Sequence, residues 1–217
     1  MLKEIARGAE AILWKDGHKL VKDRVKKGYR LPELDKRIRR LRTRVEERLM
    51  DRARRAGVDT PRILDTRDSE LVMEFIEGQR VKDALNAMKK PDREKVYNLI
   101  GDALARLHSA NVMHGDLTTS NMIIKNETTA SKGGRASEVK TIRIFIIDFG
   151  LGKVTERVED KAVDLFLLNE ALKSTHFKYL NESWQYILKV YKQKYSKAGE
   201  VLKRLEKIEK RRRYKSG

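Results

Sequence analysis

The stretch His114-Gly115-Asp116-Leu117-Thr118-Thr119-Ser120-Asn121 decides how the chain is interpreted. It places an aspartate five positions before an asparagine, in a polar segment between two apolar runs. Asp148-Phe149-Gly150 follows 27 residues after Asn121, directly behind the apolar pair Ile146-Ile147. Carboxylate and carboxamide oxygens are the ligands that Mg²⁺ takes in addition to phosphates. The spacing therefore predicts a phosphoryl-transfer site.

The order of these motifs is that of the protein kinases, H-x-D-x-x-x-x-N followed by D-F-G. In that pattern Asp116 is the catalytic residue, which accepts a hydrogen bond or a proton from the attacking hydroxyl. Asn121 and Asp148 are then the metal ligands. A single D-F-G is common by chance, but the joint order and the flanking strand-like runs are specific.

The first 60 residues predict strands and one long helix, from Leu31-Pro32 to Ala56-Gly57. The turn Gly8-Ala9-Glu10-Ala11 occupies the place of a phosphate-covering loop, although the full G-x-G-x-x-G pattern is absent. Lys22 follows the apolar pair Leu20-Val21 and is expected to hold the α- and β-phosphates. Alternatively, Lys22 is a surface charge like the lysines near it. Either Glu46 or Glu47 could pair with Lys22, and an intrahelical pair with arginine is equally compatible with the spacing.

The adenine site is predicted at the end of the strand Glu70–Phe75. There the carbonyl of Glu74 and the amide of Ile76 would supply the acceptor and donor that adenine needs. Two short strands that contain Ile123 and Ile147 would lie beneath the base. Between them, residues 125–140 are predicted to form an exposed turn, because they are rich in Thr, Ser, Gly, Lys and Glu.

These elements predict an α+β, bilobal, protein-kinase-like fold. A small N-lobe with an antiparallel sheet and a long helix would span residues 1–77. A reduced helical C-lobe would span 78–209, and a basic tail 210–217. The reduction is indicated after Gly150, where the chain has no A-P-E motif and a helix starts soon after Lys153–Asp160.

The composition restricts the partners. The net charge is +18, and it resides in residues 19–55, which carry +10, and residues 189–217, which carry +9. Such one-sided blocks favour a nucleic-acid partner over the balanced ion pairs of a heat-adapted surface. Cysteine is absent, the histidines lack metal-ligand spacing, and no apolar run is long enough to cross a membrane. We therefore predict a cytoplasmic protein without a zinc site.

The chain also resembles the small atypical serine/threonine kinase of the KEOPS (EKC) tRNA-modification complex in its archaeal form. The match covers nearly the whole length. The most specific segments are Lys27-Gly28-Tyr29-Arg30-Leu31-Pro32 and the 114–121 stretch. Further matching segments are Gly8–Ala11, Val21-Lys22-Asp23-Arg24, Thr43-Arg44-Val45-Glu46, Asp148–Leu151 and Glu159–Leu165.

The resemblance implies a kinase that acts mainly as an ATPase, with ATP and Mg²⁺ as cofactors. Its partners would be the threonylcarbamoyl-transferase subunit, a further small regulatory subunit, and tRNA bound by the basic helix and tail. Lys22, Glu46 and Asp116 match the family's catalytic residues, and Asn121 and Asp148 match its metal ligands. Asp164 matches an aspartate that braces the catalytic loop.

Two other functions remain open from the residues alone. Small-molecule kinases of the aminoglycoside and choline type also carry His-Gly-Asp-Leu, but the chain lacks their acidic substrate-binding insert. A non-catalytic RNA-binding adaptor could retain the fold. However, all the charged catalytic residues are present, and an adaptor would not need them.

Overall fold

The first half of the chain folds into an antiparallel sheet. The computed structural model describes residues 2–130 and 138–213. Its strands are β1 (Lys3–Arg7), β2 (Ala11–Asp16), β3 (Lys19–Arg24), β4 (Ile63–Arg67) and β5 (Glu70–Glu74). Their order in the sheet is β1-β2-β3-β5-β4. In β5 the buried positions are Leu71 and Met73, whereas in β3 they are Lys22 and Arg24. One strand of the sheet thus turns two cations inward.

A single long helix, α1 (Pro32–Arg55), packs against this sheet. Proline in the first turn is tolerated because the amide there has no intrahelical acceptor. The helix ends before Gly57, whose φ of +80° is one that L-residues rarely adopt. Its buried face carries Glu46, Leu49 and Met50.

Four large apolar side chains in the first half of α1 and just before it are exposed to solvent. Tyr29, Leu31, Leu34 and Leu41 are 79%, 74%, 49% and 61% exposed. We call these four residues the apolar stripe. Exposed clusters of large apolar side chains are uncommon unless another molecule covers them.

The second half of the chain is mainly helical. Its helices are α2 (Val81–Ala84), α3 (Lys90–Ser109), α4 (Val158–Thr175), α5 (Leu180–Lys194) and α6 (Ala198–Arg213). They enclose a core with fully buried Tyr97, Leu104 and Tyr191. No helix among residues 2–130 and 138–213 has the length and apolarity of a membrane span.

Two small sheets connect these helices to the first half. One has the order β6 (Gln79–Arg80), β8 (Met122–Ala130) and β9 (Glu138–Ile146), and the other pairs β7 (Val112–Met113) with β10 (Lys153–Val154). The predicted α+β bilobal architecture is therefore confirmed. The predicted boundaries at 77 and 209 stay predictions, although the last strand of the large sheet ends at Glu74 and α6 continues to Arg213.

The prediction of an exposed turn over 125–140 is wrong at both ends. Residues 125–130 belong to β8 and residues 138–140 to β9, while 131–137 lie outside the described residues. The two strands pair in register from Met122↔Ile146 to Ala130↔Glu138. A cross-strand ion pair of 3.1 Å between Arg143 and Glu127 stabilises the polar section. Polar composition alone therefore does not distinguish a turn from a solvated hairpin.

Candidate active site

A buried aspartate of α4 binds the beginning of the 114–121 loop. Asp164 is fully buried, and its two carboxylate oxygens accept hydrogen bonds from the backbone amides of His114 (2.7 Å) and Gly115 (2.8 Å). Each bond joins a charged acceptor to a backbone donor, the stronger class of hydrogen bond. The beginning of the loop is therefore fixed to the helical half.

The His114 ring connects this loop to the segment that follows β9. The amide of Asp116 donates to Nδ1 (3.2 Å), so the ring proton lies on Nε2, which donates to the carbonyl of Ile147 at 3.0 Å. The ring also packs on Phe149, with centroids 4.7 Å apart. These contacts place Asp148 beside the loop, although 32 positions separate it from Asp116 in the sequence.

Asp116 and Asn121, five positions apart in the loop, are in direct contact. The Nδ2 atom of Asn121 donates to the backbone carbonyl of Asp116 at 2.8 Å and to its carboxylate at 2.9 Å. Since both bonds use the amide nitrogen, Oδ1 of Asn121 is the atom that can face a cation. The spacing of five residues thus brings an acceptor carboxylate and a neutral oxygen ligand to one place.

Lys22 lies between two carboxylates. Its Nζ atom is 2.7 Å from Oε1 of Glu46 and 2.6 Å from Oδ1 of Asp148. Burial alone would lower the pKa of Lys22, but the two carboxylates outweigh it, so that pKa lies above its ordinary value. Burial would likewise raise the pKa of Asp148, but the Lys22 ammonium holds it below its usual range. Both side chains are therefore charged at neutral pH.

Two adjoining cavities meet at Lys22 and Asp148. The first, of about 420 Å³, lies under the turn that contains Gly8, Ala9, Glu10 and Ala11, and Asp116 lines it as well. The second, of about 140 Å³, extends toward the end of β5. Its lining includes the remaining residues that the sequence singled out, which are Glu46, Glu74, Ile76, Asn121, Ile123 and Ile147. The structure thus brings every candidate site residue to one of these two cavities.

The donor set at the junction fits a nucleotide with Mg²⁺. Asp148 supplies a half-exposed carboxylate and Asn121 an amide oxygen, which are hard ligands of the type Mg²⁺ prefers. Lys22 supplies a fixed positive charge for phosphates. The apolar walls of the second cavity, which include Leu13, Met73 and Ile123, suit a flat base.

Arg24 belongs to the site, although the sequence alone assigns no role to it within the segment Val21-Lys22-Asp23-Arg24. The Nη2 atom of Arg24 is 2.5 Å from Oε2 of Glu46, so this glutamate has two cationic partners. The signal was present, because Arg24 follows Lys22 by two positions and strand residues with that spacing share a face. Two further residues, which have no predicted role, stabilise the turn 8–11. Arg42 pairs with Glu10 at 2.7 Å, and Lys27 donates to the carbonyl of Ala9.

Solved structures that superpose on this chain include a kinase complex and WaaP. The Rio2 kinase–ADP/Mg²⁺–phosphoaspartate complex from Chaetomium thermophilum superposes with a TM-score of 0.65, at 16% identity, over 99% of this chain and 71% of that one. WaaP in complex with acyl carrier protein gives a TM-score of 0.64, at 16% identity, over 96% and 88%. At such identities these likenesses define the fold class, which is protein-kinase-like.

Sequence comparison defines the family within that class. The RIO domain family matches residues 12–130. The KEOPS complex subunit Bud32 of Pyrococcus abyssi is 37% identical over 90% of this chain and 84% of its own length. The chain belongs to the RIO-domain family and, within it, to the family of this KEOPS subunit.

Some relatives are much longer than this chain. A probable bifunctional tRNA threonylcarbamoyladenosine biosynthesis protein of Methanosarcina mazei is 39% identical over 95% of this chain, but the match covers only 35% of that protein. The chain thus spans about a third of the length of such bifunctional relatives.

Proposed function

We propose that the protein is an ATP- and Mg²⁺-dependent kinase of the atypical serine/threonine type that acts mainly as an ATPase. Its activity would support threonylcarbamoyladenosine formation on tRNA within the KEOPS complex. The observation that carries the enzymatic part is the convergence of Lys22, Asp116, Asn121 and Asp148 at the junction of two cavities. The family assignment supports the biological context.

Each side of the site has a proposed role. Lys22, oriented by Glu46, would hold the α- and β-phosphates, while backbone groups of the turn 8–11 cover them. Asp116 would accept the proton or hydrogen bond of the attacking hydroxyl or water. Asn121 and Asp148 would hold Mg²⁺, which neutralises the charge that develops on the transferred phosphoryl group.

The adenine would occupy the second cavity. Glu74 and Ile76, where the chain leaves β5, line this cavity together with Ile123 and Ile147. A carbonyl of the first and an amide of the second would give the base its two hydrogen bonds. Burial between aliphatic side chains would supply most of the remaining affinity.

The partners follow from the family and from two surface features. We propose that the protein assembles with a threonylcarbamoyl-transferase subunit and with a further small regulatory subunit. The exposed apolar stripe supports contact with another protein, because it leaves four large side chains in water. The two basic blocks support contact with tRNA.

Phosphate release from ATP tests the enzymatic proposal. It should be measured for the protein alone, with tRNA, and with the transferase subunit, and we expect the highest rate with the subunit. Asp148→Ala should lower the rate about 100-fold or more, because the charge stabilisation by a metal is worth several kcal/mol. Normal turnover in this variant would contradict the assignment of the metal ligand.

A surface variant provides the matched control. Leu41→Asp changes an exposed residue of the apolar stripe that lines neither cavity. We expect it to keep the basal turnover and to lose much of the stimulation by partner subunits. Full stimulation of Leu41→Asp would instead mean that the stripe does not contribute to assembly.

A further inference from the structure

Glu46 is bound by two cations rather than one. Its Oε1 atom contacts Lys22 and its Oε2 atom contacts Arg24, at 2.7 and 2.5 Å. The side chains of Glu46, Arg24 and Lys22 are 1%, 5% and 10% exposed. A buried carboxylate needs a partner at each oxygen, so the second cation is part of what holds Glu46 in place.

Arg24 lies where three segments meet. It is the last residue of β3, and its amide donates to the carbonyl of Ser69 at 3.1 Å. Its guanidinium reaches Glu46 on α1. A Cβ added to Gly150 would lie 3.4 Å from Nη2 of Arg24, so the guanidinium also borders the Asp-Phe-Gly segment.

Lys22 has competing partners, whereas the Arg24–Glu46 pair does not involve Asp148. Lys22 contacts both Glu46 and Asp148. Under the proposed function, phosphates compete for Lys22 and Mg²⁺ competes for Asp148, so the contact between these two residues is exchanged during turnover. The Arg24–Glu46 contact can persist through that exchange and keep α1 in a fixed position relative to β3.

We propose that Arg24 is a positioning residue that fixes Glu46, and through Glu46 the Lys22 ammonium, for nucleotide binding. Its catalytic consequence rests on the proposed function. The planar, forked guanidinium suits this task better than a lysine ammonium would, because it can contact a carboxylate and fill the adjoining space at once.

A double-mutant cycle tests whether Arg24 acts through Glu46. We expect Arg24→Met to lower kcat/KM for ATP hydrolysis by about 10- to 100-fold in the parent protein, and by less than about 2-fold in a Glu46→Ala background. Arg24→Lys should restore part of the loss. Equal factors in both backgrounds would overturn the proposal, because Arg24 would then act independently of Glu46.

Hydrogen exchange of the nucleotide-free protein separates this proposal from the proposed function. Arg24→Met should speed exchange of the α1 amides around residues 43–48 by about 10-fold, since it removes a buried anchor of that turn. Arg67→Met is the matched control, because Arg67 belongs to the same sheet but pairs with Asp65 at an exposed position. Unchanged exchange in Arg24→Met would overturn the positioning role, whereas a parent protein that hydrolyses no ATP would contradict only the proposed function.

Discussion

Gly115 explains why the loop 114–121 departs from the commoner kinase pattern, which has arginine before the aspartate. Its φ is +83°, and a Cβ would lie 2.2 Å from the carbonyl oxygen of Leu151. Any side chain at this position would collide with the backbone behind the Asp-Phe-Gly segment. The close approach is thus possible because position 115 is glycine.

Gly115→Ala should therefore destabilise the protein by about 3 kcal/mol, because the strain of positive φ and the clash add. Urea unfolding measures the change. Gly17→Ala is the matched control, since Gly17 also has a positive φ, of 57°, but no atom within 4 Å of an added Cβ. We expect it to lose about 1 kcal/mol. Equal losses in the two variants would show that the approach to Leu151 costs little.

The site residues differ in how well their positions could be predicted. Asp116, Asn121 and Asp148 belong to a spaced motif, so their convergence could be expected from the sequence. Glu46 could not be separated from Glu47 by spacing, because the side of α1 that faces β3 depends on tertiary packing. The role of Arg24 could not be predicted, because the sequence does not show that the buried face of β3 is charged.

Asp160 organises the beginning of α4. Its Oδ2 atom accepts a hydrogen bond of 2.7 Å from the hydroxyl of Thr155, and its Oδ1 atom is 3.0 Å from Nζ of Lys153. Burial alone would raise its pKa, but these contacts hold the pKa below the ordinary value of 3.8. The first turn of a helix also favours a negative charge.

Asp160→Asn should cost about 1 kcal/mol of unfolding free energy at pH 7. A lowered folded-state pKa gives a stabilisation that is present above 3.8 and is lost as the pH falls through the folded-state value. The difference between parent and variant should therefore shrink as the pH falls below 3.8, in urea unfolding at several pH values. Glu156→Gln, at an exposed carboxylate nearby, should show a smaller difference. A difference for Asp160→Asn that stays constant at the lowest pH would contradict the charge-based account.

The elements themselves were predictable where local chemistry determines their ends. Pro32 and Gly57 delimit α1 close to its predicted bounds, and the apolar periodicity of α3 is that of a buried helix. The length of the β8–β9 hairpin exceeds the prediction, because its polar section is stabilised by contacts between the strands rather than by local propensity. Cross-strand partners such as Arg143 and Glu127 are 16 positions apart, beyond what a local pattern can reveal.

Two helices of the described residues carry rows of exposed cations. Arg37, Arg40, Arg44 and Arg48 are exposed and share one face of α1. Further exposed cations lie along α6, which leads into the basic end of the chain; they are Lys203, Lys207, Lys210 and Arg211. Residues 214–217 of the predicted tail lie outside the described residues. Positive faces of this kind attract a polyanion, and added salt weakens that binding.

Deletion of residues 210–217 should reduce tRNA affinity and flatten its salt dependence. The segment carries five cations, and each phosphate contact that is lost should reduce the log–log slope by about one unit. Filter binding at several salt concentrations measures both quantities. A Lys89→Gln/Lys90→Gln variant is the control, since these exposed lysines lie at the start of α3 and belong to neither basic face. Unchanged affinity and slope after the deletion would exclude the tail from the tRNA contact and leave the arginine face of α1 as the candidate surface.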